Sequence, residues 1–473
     1  MIATPKGYRD IYNSKANVRK AKWYEVWRRN DEDYSALNTT DPQKHMALRK
    51  PLNSAFSERS LRSSEPFILK NVDRWIELML DGEKTKGTTK WATPKNLGGE
   101  WVDYLVFDIL GDLCFGKSFN TIEPKENPLR QIPHIIGEYL QFMYPVSINS
   151  IFPQSRTGTD FLVSDYKLTL SRHVVTPKPV INFYKFLEEC VEERKEQEQS
   201  LEKENSSNGR KDMFHYLFHA KDSETGGPAF SDSELLATAN LLVTAGSDTT
   251  ATALCSAFFH LTRDQRIYDK LAKEIRETFP AVEDIRSGPT LSNCRYLQAF
   301  CLEAMRMSPS GPSELLRQVL PGGYEVDGHW YPASTLIGVP SYSVHYHQET
   351  FKDPFVFRPE RWISNEELGV STEDVAALQL AFNPFSIGPG QCPGKNIALL
   401  EMYTVLGRTI HACDVRRPVE DTADLGAGRA EYMWGRRNRN QYQVLDAFLA
   451  LRNGPMIQLR RRSNAQSSPM GND

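Results

Sequence analysis

The stretch Phe382-Asn-Pro-Phe-Ser-Ile-Gly-Pro-Gly-Gln-Cys392-Pro-Gly-Lys-Asn-Ile-Ala398 holds one cysteine in a loop rich in glycine and proline, and a run predicted to be helical from Asn396 to Thr409 follows it. A thiolate forms near neutral pH only when its pKa is lowered, as a helix N-terminus or a metal does. Gly388, Gly390 and Gly394 let the backbone approach a flat ligand and direct N–H groups at the sulfur. The loop therefore favours a rigidly held thiolate ligand, although most unpaired cysteines are ordinary small apolar side chains.

The same loop, written as Phe385-x-x-Gly388-x-x-x-Cys392-x-Gly394, resembles the haem-binding signature of the cytochrome P450 superfamily, the haem-thiolate monooxygenases. The resemblance implies that Cys392 is the axial ligand of the haem iron and that Phe385 packs against it. The family usually has Arg or His two residues before the cysteine, in contact with a haem propionate, where this sequence has Gly390. One propionate contact is therefore expected to be absent or to come from another residue.

A second motif, Thr244-Ala-Gly-Ser-Asp-Thr-Thr250, lies inside a helix predicted from Ser231 to Thr262. These residues have low helix propensity, and their hydroxyls can bond back to the preceding turn and bend a helix. Apolar flanks favour a buried position over a surface patch. The motif resembles the family's oxygen-binding helix, in which the glycine makes room for dioxygen over the haem. The resemblance assigns Ala245 and Gly246 to the haem pocket and a proton relay to Asp248 and Thr249, because an apolar pocket supplies no protons itself.

A third set of residues follows the family's order along the chain. Glu303 and Arg306 are three residues apart on one predicted helix face, which alone would indicate only an exposed ion pair worth about 0–1 kcal/mol. Arg361 follows in Phe357-Arg-Pro-Glu-Arg-Trp362, and Cys392 comes 31 residues after it. The resemblance implies a structural triad of Glu303, Arg306 and Arg361, whose bidentate pairing fixes the loop that presents the thiolate.

Three further residues are implied to contact the haem propionates. His45 and Arg49 lie at i and i+4 of a predicted helix, so both can face one edge of a ligand. Arg317 stands where the family has an arginine after the Glu303 helix. With Gly390 in the cysteine loop, these three residues are expected to carry more of the propionate charge than usual.

Composition sets outer limits on the function. The chain has 473 residues, of which 40% are hydrophobic and 25% charged, so it can bury a large core. A net charge of −3 predicts no bulk attraction to nucleic acid. Seven cysteines without CxxC spacing argue against a disulfide scaffold or a cysteine zinc site. We expect a single domain over 1–462 and a polar, disordered tail over 463–473.

The element pattern is mainly α with small β-sheets, and the resemblance implies the cytochrome P450 fold. Strand signals cluster at Gln318–Val339 and at Ala447–Leu459, where a hairpin is predicted around Arg452-Asn-Gly-Pro455. We find no signal peptide and no apolar run that would span a membrane. The sequence is expected to lack the family's N-terminal anchor and first elements and to begin near its B helix (Asp10–Asn13). The family location would be the cytosolic face of the endoplasmic reticulum membrane.

The resemblance implies haem b, O2 and an apolar small-molecule substrate that is hydroxylated, with electrons from an NADPH-dependent flavoprotein reductase. Four segments are expected to line the substrate pocket: Lys22–Asn38, Ile132–Ile151, Thr238–Ala245 and Ser313–Leu316. The C-terminal region resembles fungal members that act in secondary metabolism. Two alternatives stay open: an oxygen-independent haem-thiolate isomerase or dehydratase, against which the Asp248–Thr249 pair argues, and a non-catalytic haem-binding truncation product, motivated by Gly390 and the short N-terminus.

Overall fold

A computed structural model describes residues 2–82, 90–151, 177–203, 210–222, 224–419 and 421–462. The predicted polar tail at 463–473 lies outside these described residues. The α-helices in the described part of the chain are α1 (Pro5–Tyr12), α2 (Pro42–Ala55), α3 (Glu58–Met79), α4 (Val102–Phe115), α5 (Ile132–Ile151), α6 (Lys178–Lys203), α7 (Met213–Phe218), α8 (Asp232–Leu261), α9 (Gln265–Thr278), α10 (Pro289–Ser292), α11 (Arg295–Met307), α12 (Ser341–His345), α13 (Thr372–Ala381) and α14 (Lys395–Ala412).

Helix α8 forms the centre of the structure and packs against α4, α11 and α14. A capping box starts it, since Ser231 accepts from the Glu234 N–H and the Glu234 carboxylate accepts from the Ser231 N–H. From Thr250 to Leu261 every residue is buried, as expected for a helix that is enclosed on all sides. This helix carries the Thr244–Thr250 motif through the middle of the core.

The strands are short and lie at the edges of the helical body. They are β1 (Val18–Lys20), β2 (Lys95–Asn96), β3 (Arg317–Val319), β4 (Tyr324–Val326), β5 (His329–Tyr331), β6 (Leu336–Ile337), β7 (Cys413–Arg416), β8 (Val444–Ala447), β9 (Leu449–Arg452) and β10 (Met456–Arg461). They form sheets in the orders β1-β3-β6 and β2-β10-β7 and the pairs β4-β5 and β8-β9, all antiparallel. The mainly α fold with small β-sheets predicted from the sequence is confirmed.

The predicted C-terminal hairpin around Arg452–Pro455 is wrong. The hairpin turns earlier, between β8 and β9, where Phe448 adopts a left-handed φ of 74°. The segment Asn453-Gly454-Pro455 instead carries the chain into another sheet, where β10 pairs with β7 and β2. An Asn-Gly pair signals a turn, but the pairing partners of the flanking strands come from distant parts of the chain.

Candidate haem site

The cysteine loop is fixed by backbone contacts between Phe382 and α14. The Cys392 N–H donates to the Phe385 carbonyl at 2.8 Å. Gly388 has a φ of +64°, and a Cβ there would lie 2.3 Å from the Tyr12 carbonyl oxygen of α1. Both the left-handed backbone and the close approach of α1 therefore require glycine at this position.

Cys392 differs from the other six cysteines, which are all buried, because its side chain is accessible. All seven cysteines are free, in agreement with the absence of a disulfide scaffold. The Cys392 side chain stays accessible, but many protein atoms surround the sulfur just before the N-cap of α14, so burial raises the pKa of the thiol. The N–H groups of Gly394 and Lys395 and the charge of Arg49 act in the opposite direction and lower that pKa. The sulfur thus faces open space with donors ready to stabilise its anion.

Four basic groups surround the space near this loop. Lys20 on β1 and Arg317 on β3 are cross-strand partners, and His45 and Arg49 lie on α2. Burial, Arg317 and Arg49 lower the pKa of Lys20 to about 7. Burial, then Lys20, Arg49 and Arg317, lower the pKa of His45 to about 4. Among the residues that the structure describes, the charges acting on Lys20 and His45 are all positive, and the anion that acts on Arg49 is the Cys392 thiolate.

Gly390 leaves room for one of these cations. A Cβ at Gly390 would lie 3.2 Å from Nη2 of Arg317, so the guanidinium stands beside the missing side chain. Arg317 also contacts the Tyr24 hydroxyl at 3.3 Å and the Leu315 and Leu316 carbonyls. Arg49 donates to the Gln391 carbonyl at 2.8 Å, directly before the cysteine. Arg317 is therefore a candidate for the haem-propionate contact that the family usually makes from the position of Gly390.

Glu303, Arg306 and Arg361 meet in a fully enclosed network. Arg306 donates from Nε and Nη2 to the two oxygens of Glu303, both at 2.8 Å, and Arg361 Nε reaches Glu303 Oε1 at 3.0 Å. The exposed fractions of the three residues are 0%, 0% and 2%. The remaining guanidinium N–H groups bind backbone carbonyls, among them those of His345 and Pro354. Despite burial, the two arginines lower the pKa of Glu303 below its ordinary value.

This network reaches the cysteine loop through an aromatic contact. Trp362 Nε1 donates to Glu303 Oε2 at 2.9 Å, and its ring lies 5.0 Å from that of Phe382, the residue that opens the loop. Phe385 is half-buried against the core, and its carbonyl holds the Cys392 N–H. The buried carboxylate therefore positions the start of the loop, while α1 and α14 position its middle and end.

Within the Thr244–Thr250 motif on α8, some residues make polar contacts and others pack against neighbouring helices. Thr249 Oγ1 donates to the Ala245 carbonyl at 2.8 Å, the back-bonding expected for a mid-helix hydroxyl. Gly246 faces α4, because a Cβ there would lie 2.8 Å from Leu110 Cδ2. The structure therefore gives this glycine a packing role between two helices, in addition to the place in the haem pocket that the family resemblance assigns it.

Asp248 is part of a buried charge cluster that the sequence motifs did not reveal. Arg452 on β9 contacts Asp248 Oδ1 at 3.0 Å and also binds Asp103 on α4. One guanidinium between two carboxylates leaves a surplus negative charge, and burial raises the pKa of Asp248 to about 7. A cavity of about 340 Å³ lies against this cluster and is lined by Asp248, Arg452, Asp103 and His134 among others.

Three of the four segments expected to line a substrate pocket meet around aromatic rings. Trp23 lies 6.4 Å from the Tyr144 ring on α5 and 4.7 Å from the Phe448 ring of the C-terminal hairpin. The Tyr144 hydroxyl is 2.7 Å from Ser313 Oγ, and Leu315 packs against the same cluster. Phe448 was not predicted to take part, since the hairpin was placed several residues too late.

A family model for Cytochrome P450 matches residues 1–427. The chain belongs to the cytochrome P450 family. It is 31% identical to Cytochrome P450 monooxygenase apf7 of Gibberella fujikuroi, over 98% of this chain and 84% of the relative. A Cytochrome P450 monooxygenase of Gibberella zeae is 32% identical, over 98% of this chain and 99% of the relative. Cytochrome P450 monooxygenase fscF of Fusarium equiseti is also 32% identical, over 98% and 84%.

The family makes this cytochrome P450 an oxidoreductase that incorporates oxygen, with a haem cofactor, O2 and a redox partner. The described residues fit such a cofactor, because an accessible thiol lies near four basic groups. Within the described ranges, no helix has the length and apolar character needed to cross a membrane.

We expect Gly388→Ala to weaken the cysteine loop more than Gly369→Ala does. Both glycines have nearly the same left-handed φ, +64° and +65°, so alanine costs about 1–2 kcal/mol of backbone strain at each. Gly369 has open space around it, whereas Gly388 meets the Tyr12 carbonyl. The haem-to-protein ratio and the urea midpoint should fall clearly further for Gly388→Ala; equal losses would contradict the packing argument.

We expect Lys20→Met to stabilise the haem-free protein and weaken haem binding. The pKa of Lys20 falls from 10.5 to about 7, so its charge opposes folding fully below pH of about 7 and less as the pH rises toward 10.5. Loss of one charge-assisted contact to haem should cost about tenfold in affinity.

Lys22→Met is the control, because Lys22 has an exposed side chain next to the same strand. It should change neither the stability of the haem-free protein nor its affinity for haem. Urea unfolding of the haem-free protein and haem transfer to an acceptor protein measure the two effects. A Lys20→Met variant that holds haem as well as the parent would show that the basic cluster does not bind it.

Proposed function

We propose that the protein binds haem b through the Cys392 sulfur and inserts one oxygen atom from O2 into an apolar small molecule. One observation carries the proposal: the accessible cysteine lies beside a cluster of basic groups, and in the described part of the chain every charge that acts on Lys20 and His45 is positive. A thiolate-ligated haem, when bound, supplies the activation of O2. The work of the protein is to hold the cofactor, position the substrate and deliver protons.

Arg49, Arg317, His45 and Lys20 are the groups that would bind the two propionates. Burial is the main cause of the lowered pKa values of His45 and Lys20, and repulsion by the neighbouring cations adds to it. A propionate charge would raise both pKa values, because it favours the protonated forms. Arg317 beside Gly390 takes the place of the arginine or histidine that the loop lacks. A Cβ at Gly394 would lie 3.9 Å from the sulfur, while Gly388 fixes the loop against α1. We propose that Phe385 packs beside the sulfur.

Asp248 is suited to pass protons inward from the cavity beside Arg452. Its pKa of about 7 lets the carboxyl gain and lose a proton at neutral pH, which a general acid requires. Neighbouring residues point about 100° apart around a helix, so Thr249 faces a different direction from Asp248. We propose that Thr249 receives the proton on the haem side and that Ala245 and Gly246 border the same space.

The substrate is proposed to be an apolar compound of fungal secondary metabolism. The aromatic cluster of Trp23, Tyr144 and Phe448 offers apolar surface, and the Ser313 hydroxyl adds a polar contact beside it. Electrons would come from an NADPH-dependent flavoprotein reductase at the cytosolic face of the endoplasmic reticulum membrane, which is the arrangement implied by the family.

Isotope labelling tests the proposed reaction. Apolar compounds that shift the haem absorption band on binding are incubated with the protein, a flavoprotein reductase, NADPH and 18O2. The expected product is heavier than its substrate by one 18O atom. A product of unchanged mass, or one that forms equally well without O2, would instead support an isomerase or dehydratase and contradict the proposal.

Asp248→Asn should lower product formation by about 100-fold, because an amide cannot pass a proton on. The matched control is Asp232→Asn at the exposed start of the same helix, whose carboxylate binds Lys195 at 2.7 Å; it should keep the parent rate. NADPH consumption and product are measured together, so that loss of coupling is visible.

The pH dependence of product formation gives a second test of the role of Asp248. A carboxyl with a pKa of about 7 holds its proton below pH 7 and loses it above. Product formation by the parent protein should therefore fall as the pH rises through 7, and the residual activity of Asp248→Asn should lack this step. Parallel pH profiles would contradict the relay.

A further inference from the structure

Two histidines and two glutamates meet between α6 and α7, in a part of the fold that the proposed reaction does not use. Glu198 and Glu202 lie one turn apart on α6, and His215 and His219 lie one turn apart on or directly after α7. The His215 Nδ1 atom is 2.7 Å from Glu198 Oε1, and His219 Nε2 is 3.1 Å from Glu202 Oε1. His219 Nδ1 lies 3.7 Å from the same Glu198 oxygen.

The spacing of these atoms suits one small metal ion. One ligand atom each from Glu198, His215 and His219 can be chosen so that all lie within 4.8 Å of one another. Zinc binds imidazole nitrogen and carboxylate oxygen at about 2.0–2.2 Å, so two of its ligands stand about 3–4 Å apart. Imidazoles together with carboxylates favour zinc over magnesium or calcium, which prefer oxygen alone.

The charges around the cluster can also accommodate a bound dication, which would take the place of ring protons on the two histidines. Arg194 binds Asp212 through Nε and Glu198 through Nη2, both at 2.7 Å. With neutral imidazoles, one positive charge on Arg194 stands against three negative charges on Asp212, Glu198 and Glu202, which leaves two negative charges. Arg210, which also acts on Asp212, is paired with Asp112 at 3.1 Å and therefore does not supply the difference.

The surroundings would orient the ligands and give an ion access. Glu198 has a small exposed fraction and its second oxygen lies 2.7 Å from Arg194 Nη2, while His219 is exposed at the surface. The contact from His219 Nδ1 to the His215 carbonyl, 2.8 Å long, would fix the ring with Nε2 directed toward Glu202. Such supporting hydrogen bonds hold histidine ligands in metal sites.

We propose that Glu198, His215 and His219, with Glu202 or water as the fourth ligand, form a zinc site that ties α6 to α7. The site would be structural, because it links two helices through side chains that the haem site does not employ. Binding would stabilise the folded state, since the unfolded chain cannot present the four side chains together. The proposal does not depend on the proposed reaction.

The test uses the haem-containing full chain after treatment with a chelator. Zinc chloride is titrated calorimetrically, and the thermal midpoint is followed with and without one equivalent of zinc. We expect one tight site and a raised midpoint in the parent protein. His219→Ala and His215→Ala should each weaken that site by more than about tenfold and remove the rise in midpoint.

His134→Ala is the matched control. His134 is an exposed histidine on α5 whose Nε2 lies 3.2 Å from Glu138 at i+4, a lone pair of possible ligands outside the cluster. This variant should bind zinc as the parent does. Because His219 is exposed, its alanine variant should fold and keep the parent's haem spectrum. Zinc binding that survives His219→Ala, or that is lost in His134→Ala, or a midpoint unaffected by zinc would overturn the proposal.

Discussion

The buried carboxylate of Glu303 is the contact on which the geometry of the haem site depends. It accepts direct hydrogen bonds of 2.8–3.0 Å from Arg306, Arg361 and Trp362 and from the Arg358 backbone. Removing one partner of such an enclosed pair costs about 3–5 kcal/mol, because the other charge stays buried. Through Trp362 and Phe382 the network reaches the loop that carries the cysteine, so the sulfur is placed by groups that never touch it.

The basic cluster offers a proposed explanation for Gly390 in this loop. A haem propionate would need a cation nearby, and Arg317 would supply it from a strand instead of from the loop itself. The pairing of β1 with β3 brings Lys20 next to Arg317, and α2 adds His45 and Arg49. Burial first, and then the charges of the neighbouring cations, lower the pKa values of Lys20 and His45, and an anionic cofactor bound there would oppose both shifts.

The features that could be predicted from the sequence are those encoded in short motifs with a fixed order along the chain. Cys392, the Glu303–Arg306 pair and Arg361 could be located because their spacing along the chain is characteristic of the family, and the central helix because its capping and apolar runs are local. Lys20 and Arg452 could not be found, because nothing near them separates them from an exposed lysine or arginine until strands pair across the chain. The hairpin was misplaced because its true turn at Phe448 has no glycine or proline to mark it in the sequence, whereas Asn453-Gly454 resembles a turn.

The carbon monoxide spectrum of the reduced protein is the most direct test of the cysteine loop, since it reports whether a thiolate ligates the haem iron. The protein is reconstituted with haem, reduced and exposed to carbon monoxide, beside a Cys392→Ser variant. Ligation by Cys392 should give the strongly red-shifted Soret band of a thiolate-ligated haem in the parent and lose that band in the variant. An unshifted band in the parent, or a shifted band that survives Cys392→Ser, would contradict Cys392 as the iron ligand.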